Sequence, residues 1–179
     1  MFRLISIEDI IRVPPDRFGE DLTLIAYDQL RNKYIGRVDP NLGFVIEVWR
    51  VNVVSEGVIL PGDGATYHKV DADLLTYVPL RNEVVEGVVV DVKKIGLFVN
   101  IGPVDALVHI SQIADDKMVY DELNGIMKGE ETKVIFKRGD VVRGKIVSVS
   151  MAPPAFIRVG MTMRQPTLGK VKEVVGNAG

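Results

Sequence analysis

One aromatic ring, one histidine and a few cations are the side chains best placed to do chemistry in this chain. Phe98 lies in Gly96-Leu97-Phe98-Val99-Asn100-Ile101, which reads as a strand. Alternation sends Leu97, Val99 and Ile101 to one face, uniformly aliphatic and suited to a core, and Gly96, Phe98 and Asn100 to the other. A ring on an open sheet face can stack on an unpaired base, worth about 1–3 kcal/mol per base. The same ring could instead pack beneath a neighbouring segment. Lys93, Lys94, Arg143, Lys145 and Arg158 are candidate phosphate contacts: Lys94 sits in the turn before Phe98, and Arg143 and Lys145 share one face of a later strand. Such contacts position a nucleic-acid strand without reading its sequence. His109, in Leu107-Val108-His109-Ile110-Ser111, has no second histidine nearby and cannot build a metal site.

Other chemistries are harder to place. The 179 residues include no cysteine, which excludes a disulfide framework and thiolate ligands and fits an intracellular, cytoplasmic protein. There is no HExxH, no nucleophile elbow and no paired-carboxylate context, so no catalytic residue and no cofactor is assigned. The loop Pro61-Gly62-Asp63-Gly64-Ala65-Thr66-Tyr67 lacks the GxxxxGK[ST] spacing of a phosphate loop and reads as a turn between strands. Its glycines would also let a partner approach the backbone closely. No apolar run approaches the ~20 residues that span a bilayer, and no signal-peptide h-region opens the chain, so no membrane partner is expected.

The net charge of −2 is unevenly spread. Residues 1–80 hold 8 Lys/Arg against 12 Asp/Glu, and residues 81–179 hold 14 against 12. From Pro103 to Phe136 there are three bases and seven acids, whereas Lys137 to Lys172 carries eight bases and only Asp140 as an acid. That basic stretch suits phosphates or a solvated surface.

These side chains must be positioned by short strands. Phe2–Val13 reads as an opening strand closed by Pro14-Pro15, followed by a helix over Glu20–Lys33 with Leu22, Ile25, Ala26 and Leu30 on one face. Gly36 and Asp39-Pro40-Asn41 mark a turn, Gly43–Val54 a long strand, and Tyr67–Pro79 another, interrupted at Asp71 and Asp73. The short boundary Pro79–Asn82 argues for two domains, 1–80 and 81–179, docked without a long linker. In the second, strands are expected at Val84–Val92, Gly96–Ile101, Val104–Ile110, Val141–Ser150 and Phe156–Met163. An acidic interruption spans Asp115–Lys133, and a turn falls at Ala152-Pro153-Pro154. Five such strands match the count of an OB-fold barrel.

The stretch VVEGVVVDVKKIGLFVNIGPVDALVHIS (Val84–Ser111) resembles the S1 variant of the OB-fold, whose strand-two face binds single-stranded RNA. By that resemblance His109 lies beside the stacking aromatic and faces RNA. The chain departs from the S1 pattern at Ile95, where a first aromatic is usual, and at Ala106 in place of glycine. Val149-Ser150-Met151 stands where an aspartate is usual, and Phe156 where a basic residue opens strand five, with Arg158 two positions on. Losing one of two stacking platforms implies weak, sequence-tolerant binding.

The whole chain, to about residue 175, resembles the RNA polymerase stalk family, which includes the archaeal E-prime protein and the seventh-largest component of eukaryotic RNA polymerase II. IRVPPDRFG (Ile11–Gly19), ILPGDGATYHKV (Ile59–Val70), VVEGVVVDV (Val84–Val92), LVHISQIADD (Leu107–Asp116) and TMRQPTLGK (Thr162–Lys170) carry the match. The resemblance implies a two-domain rod, an α+β RNP-like N-terminal domain followed by an all-β, S1-type five-stranded barrel (OB-fold). It implies docking on the RNA polymerase core near the clamp through loops carrying Gly36, Pro40, Gly43, Pro61, Gly62, Asp63 and Gly64. It further implies a small helical partner, the F protein of the RNA polymerase stalk, consistent with a mean hydropathy of +0.17. Nascent single-stranded RNA would lie on the S1 face, and the chain would help promoter melting without itself being catalytic. Three other readings stay open: an S1-domain RNA-binding protein of translation or RNA decay, an assembly module whose barrel only scaffolds a partner and, most distantly, a hydrolase acting on RNA.

Overall fold

The computed structural model describes residues 1–152 and 156–171. Met1–Val78 lies in one compact unit, and Pro79–Met151 with the chain from Ile157 onward forms a second.

In the first unit, β1 (Phe2–Val13), α1 (Leu22–Tyr34), β2 (Val38–Asp39), β3 (Gly43–Val53), β4 (Val58–Ile59) and β5 (Thr66–Tyr77) follow in order. The sheet runs β1-β5-β3-β2, with β4 also on β5. Ile25, Ala26 and Leu30 of α1 join Ile11, Val13, Val45, Val48, Val70, Ala72 and Leu74 in one buried cluster, so the helix seals one face. The helix begins two residues later than the acidic pair suggests. Asp21 is its N-cap, with Oδ1 accepting from the Thr23 N–H (2.7 Å), while Glu20 instead pairs with Arg17. Two register shifts in β3 insert Ile46 and Trp49 as extra residues, and Trp49 is left exposed.

The interruption expected at Asp71 and Asp73 is absent: β5 is continuous. Asp73 is buried, yet it accepts from the Ser6 hydroxyl at 2.7 Å and pairs with Arg50 at 2.8 Å, so its charge is compensated within the sheet. Asp71 faces solvent.

The second unit contains β6 (Val84–Lys93), β7 (Gly96–Asn100), β8 (Asp105–His109), β9 (Met118–Asp121), β10 (Ile126–Gly129), β11 (Ile135–Phe136), β12 (Val141–Ala152), β13 (Phe156–Thr162) and β14 (Gly169–Lys170). Strand order β13-β8-β7-β6-β12, with β13 also pairing β12, closes a five-stranded barrel, and β14 adds to β12. β13 runs parallel to β8, while the other registered barrel pairs are antiparallel. Val89, Val92, Leu97, Val99, Ala106, Val108, Val142, Ile146, Val159 and Met161 fill the interior. A bulge at Val90 breaks the strict alternation of β6, so Val92 turns inward and Asp91 outward.

The acidic interruption is not a plain loop. β9, β10 and β11 form their own antiparallel sheet over buried Met118, Met127 and Phe136. The expected turn over Pro153-Pro154 lies outside the described residues. No described helix is long and apolar enough to cross a membrane.

Candidate nucleic-acid interface

Phe98 occupies the centre of β7, paired with Asp91 of β6 on one side and Leu107 of β8 on the other. Leu97 and Val99 are fully buried in the barrel, whereas Phe98 is half-buried on the outer side. It is one wall of a groove of about 640 Å³, lined also by Ile95, Asp105, Leu107, Ser148, Ser150 and Arg158. The lining mixes the apolar Ile95, Leu107, Ile157 and Val159 with polar side chains, which suits a flat, partly polar ring.

Lys93 ends β6 and bends over this surface. Its ammonium lies 5.0 Å from the centroid of the Phe98 ring and 3.3 Å from Asp91 Oδ2. Lys94, next in the tight turn, is exposed. That turn is possible because Gly96 takes φ +147° and passes close to the Val108 carbonyl, where a Cβ would collide. Arg158, on an outward position of β13, lines the groove opposite Phe98's strand. Phe98 thus shares the groove with Arg158, and Lys93, outside the groove's lining, lies over the Phe98 ring.

The remaining sequence candidates are placed differently. Arg143 pairs across strands with Glu86, its Nε donating to Glu86 Oε1 at 2.9 Å. Lys145 lies two residues on, opposite Val84. Neither lines the groove. His109 ends β8 opposite Gly96, and its Nδ1 accepts from the Ser111 N–H at 3.2 Å, capping a 3₁₀ turn over Ile110–Gln112. The imidazole is exposed and does not line the groove. Two other cations of the basic stretch are held by acids: Arg164 by Asp115, and Lys170 by Asp140 at 2.8 Å. Among the described residues no cluster of three His, Cys, Asp or Glu side chains could hold a metal.

Sequence reasoning missed Ile95, Asp105, Ser148 and Ser150 as groove residues. Ile95 stands where the S1 pattern has an aromatic, so the departure marks the site. The two serines follow from period two on β12 only once its pairing is known.

In the first unit, Pro61, Gly62 and Gly64 are exposed, and Asp63 is clamped. The Arg12 guanidinium grips it with two bonds, Nε–Oδ2 at 2.9 Å and Nη2–Oδ1 at 2.7 Å, and the Tyr67 hydroxyl donates to it at 2.6 Å. Arg12 first, then Tyr67 and the Ala65 N–H, hold the Asp63 carboxyl well below the usual carboxylate range. The loop is therefore rigid at its tip, a clamp spanning 51 residues of sequence that no local signal reveals. Gly36 and Pro40 are exposed, but Gly43 is buried with φ +83°, and a Cβ there would sit 2.5 Å from Val78 Cγ2. Gly43 shapes the sheet rather than offering a surface.

Comparison with known proteins bears on the whole chain. Residues 8–64 match the SHS2 domain found in the N terminus of Rpb7p/Rpc25p/MJ0397, and residues 79–150 match the S1 RNA binding domain. DNA-directed RNA polymerase subunit Rpo7 of Saccharolobus solfataricus is 46% identical over 173 residues, covering 96% of each chain. Rpo7 of Sulfolobus acidocaldarius is 44% identical over 172 residues, 96% of this chain and 94% of that one. DNA-directed RNA polymerase III subunit RPC8 of Saccharomyces cerevisiae is 37% identical over 87 residues, 49% of this chain and 41% of that one. The expected α+β RNP-like domain followed by an S1-type barrel is the architecture found. The chain belongs to the Rpo7 family, non-catalytic subunits of DNA-directed RNA polymerase that carry an S1 RNA-binding domain.

Proposed function

We propose that this protein docks on the polymerase core near the clamp and pairs with the small helical F protein of the stalk. It receives nascent single-stranded RNA on its S1 face and assists promoter opening. The observation that carries the RNA part is the groove beside Phe98, whose lining combines the ring, aliphatic side chains and Arg158, with Lys93 over the ring. A base entering there stacks on Phe98 and displaces Lys93, whose ammonium, paired with Asp91, then turns to a phosphate. His109, at the end of β8, flanks this path. Lys94 adds charge at its mouth. The docking part rests on the exposed, rigid tip at Pro61–Gly64 and the turn at Gly36–Pro40, both in the unit that matches the Rpb7-type domain.

The test is a tagged copy expressed in a related archaeal cell, recovered and analysed by mass spectrometry. Large polymerase subunits and a small helical protein should come with it. Recovery of ribosomal or exosome proteins in their place would overturn the assignment of partners.

A further inference from the structure

We infer that Ser148 and Ser150 make the Phe98 groove selective for ribonucleotides, by hydrogen-bonding the ribose 2′-hydroxyl of the nucleotide whose base lies on Phe98. The inference deepens the RNA reading of this groove and rests on it.

Strand register lays a row of residues side by side across the outer surface of the barrel. Phe98 of β7 pairs with Leu107 of β8, and Leu107 with Gly160 of β13. On β12 the row ends at Ser148, because a Cβ on Gly160 would collide with the Ser148 Oγ. Successive strands lie about 4.8 Å apart, so Phe98 and Ser148 are about 14 Å apart along the sheet. The phenyl side chain takes up part of that span at one end, and a serine hydroxyl with its hydrogen bond takes up part at the other. Room for one nucleoside remains between them.

The row suits a base and a sugar, in that order. Phe98 offers the flat apolar face on which a base stacks. Gly160 has no side chain, so the floor drops to the backbone between Leu107 and Ser148 and a sugar can lie there. Ser150, two residues along β12, shares a face with Ser148 and lines the same groove. Both serines are exposed, and among the described residues neither hydroxyl has a hydrogen-bond partner.

Their chemistry separates the sugar from the phosphate. A serine hydroxyl both donates and accepts, as the ribose 2′-hydroxyl does. Phosphate oxygens accept only, and are better served by cations: Lys93 over the ring and Arg158 in the groove. The two uncharged hydroxyls are left for the sugar. A deoxyribose offers them no 2′ partner.

Fluorescence anisotropy of the full chain with oligouridylate and with oligodeoxyuridylate of equal length isolates the 2′-hydroxyl, because the bases are identical. The ribo strand should bind about tenfold tighter, the worth of one or two hydrogen bonds. Ser148→Ala and Ser150→Ala should each weaken the ribo strand about threefold, and the double variant should bind both strands equally. Affinity for the deoxy strand should stay unchanged throughout, whereas a distorted barrel would weaken both strands. Phe98→Ala should weaken both strands by the same factor, since stacking is blind to the sugar. If Phe98→Ala does this but the double variant keeps the wild-type ratio of ribo to deoxy affinity, the inference is overturned and the RNA reading stands. Equal binding of the two strands by the unaltered chain overturns it as well. If neither Phe98→Ala nor the double variant changes either affinity, RNA binds elsewhere and both readings fall.

Discussion

The Lys93 ammonium sits 5.0 Å from the centre of the Phe98 ring, so the ring proposed to stack on RNA carries a cation over it. A stacked base must displace Lys93, and the displaced ammonium is then available to the phosphate of the same strand. Phe98→Ala should therefore weaken single-stranded RNA binding about tenfold or more, as loss of one stacking contact does. Phe98→Tyr should keep most of the affinity. Fluorescence anisotropy with a short labelled RNA checks this, and the thermal melt should be little changed because Phe98 lies outside the barrel interior.

Cations near the groove and cations away from it should differ in salt dependence. Lys94→Ala and Arg158→Ala should each reduce the slope of log affinity against log salt by about 0.7, the release expected per phosphate contact on a single strand. Arg143→Ala should leave the slope unchanged, since its guanidinium is engaged by Glu86 on another part of the barrel. Equal slopes for the three variants would place the phosphate path elsewhere.

Which of these cations reached the groove was not legible in the sequence. Period two identified the aliphatic face of β7 and put Phe98 outside, because β7 is short and regular. The same rule failed on β6, where the bulge at Val90 exchanges the faces of Asp91 and Val92. Arg143 and Arg158 look alike in sequence. Only strand pairing shows that Arg143 has Glu86 beside it, while β13 lies next to β8 and brings Arg158 to the groove. The opening strand, the helix and the five barrel strands were legible because each is long or sharply bounded. The small sheet of β9–β11 was hidden because its strands have only two to four residues and lie in and just after an acidic stretch. Asp73 looked like a strand breaker because its partners, Ser6 and Arg50, come from other strands.

Gly43→Ala should destabilise the N-terminal unit by about 1–3 kcal/mol, since the residue combines φ +83° with contact against Val78 and the Tyr77 carbonyl. Gly62→Ala should cost only about 1 kcal/mol, because its φ of +88° is strained but nothing lies within 4 Å of a new Cβ. Thermal or urea denaturation of the two variants distinguishes them.

The inserted sheet should loosen in acid. Asp116 accepts from the Thr132 hydroxyl and N–H and from the Glu131 N–H, which lower its carboxyl to about 2 from an ordinary 3.8. A depressed folded-state value means that the stabilisation is full above about pH 4 and is lost as pH falls toward 2. Protection of the Glu131 and Thr132 amides, relative to intrinsic exchange at each pH, should fall across that window. In Asp116→Asn that pH-dependent fall should be absent, because no carboxylate titrates there and protection is already low at neutral pH.

Emerging RNA should touch this protein at the groove beside Phe98. A polymerase containing the chain, stalled with a photoreactive nucleotide at successive positions in the transcript, can be irradiated and the crosslinked peptides mapped. Crosslinks should fall on the β6–β7 turn with Phe98 and on the Arg158 segment of β13. Crosslinks confined to the Arg143–Glu86 side of the barrel, or to the N-terminal unit, would contradict it.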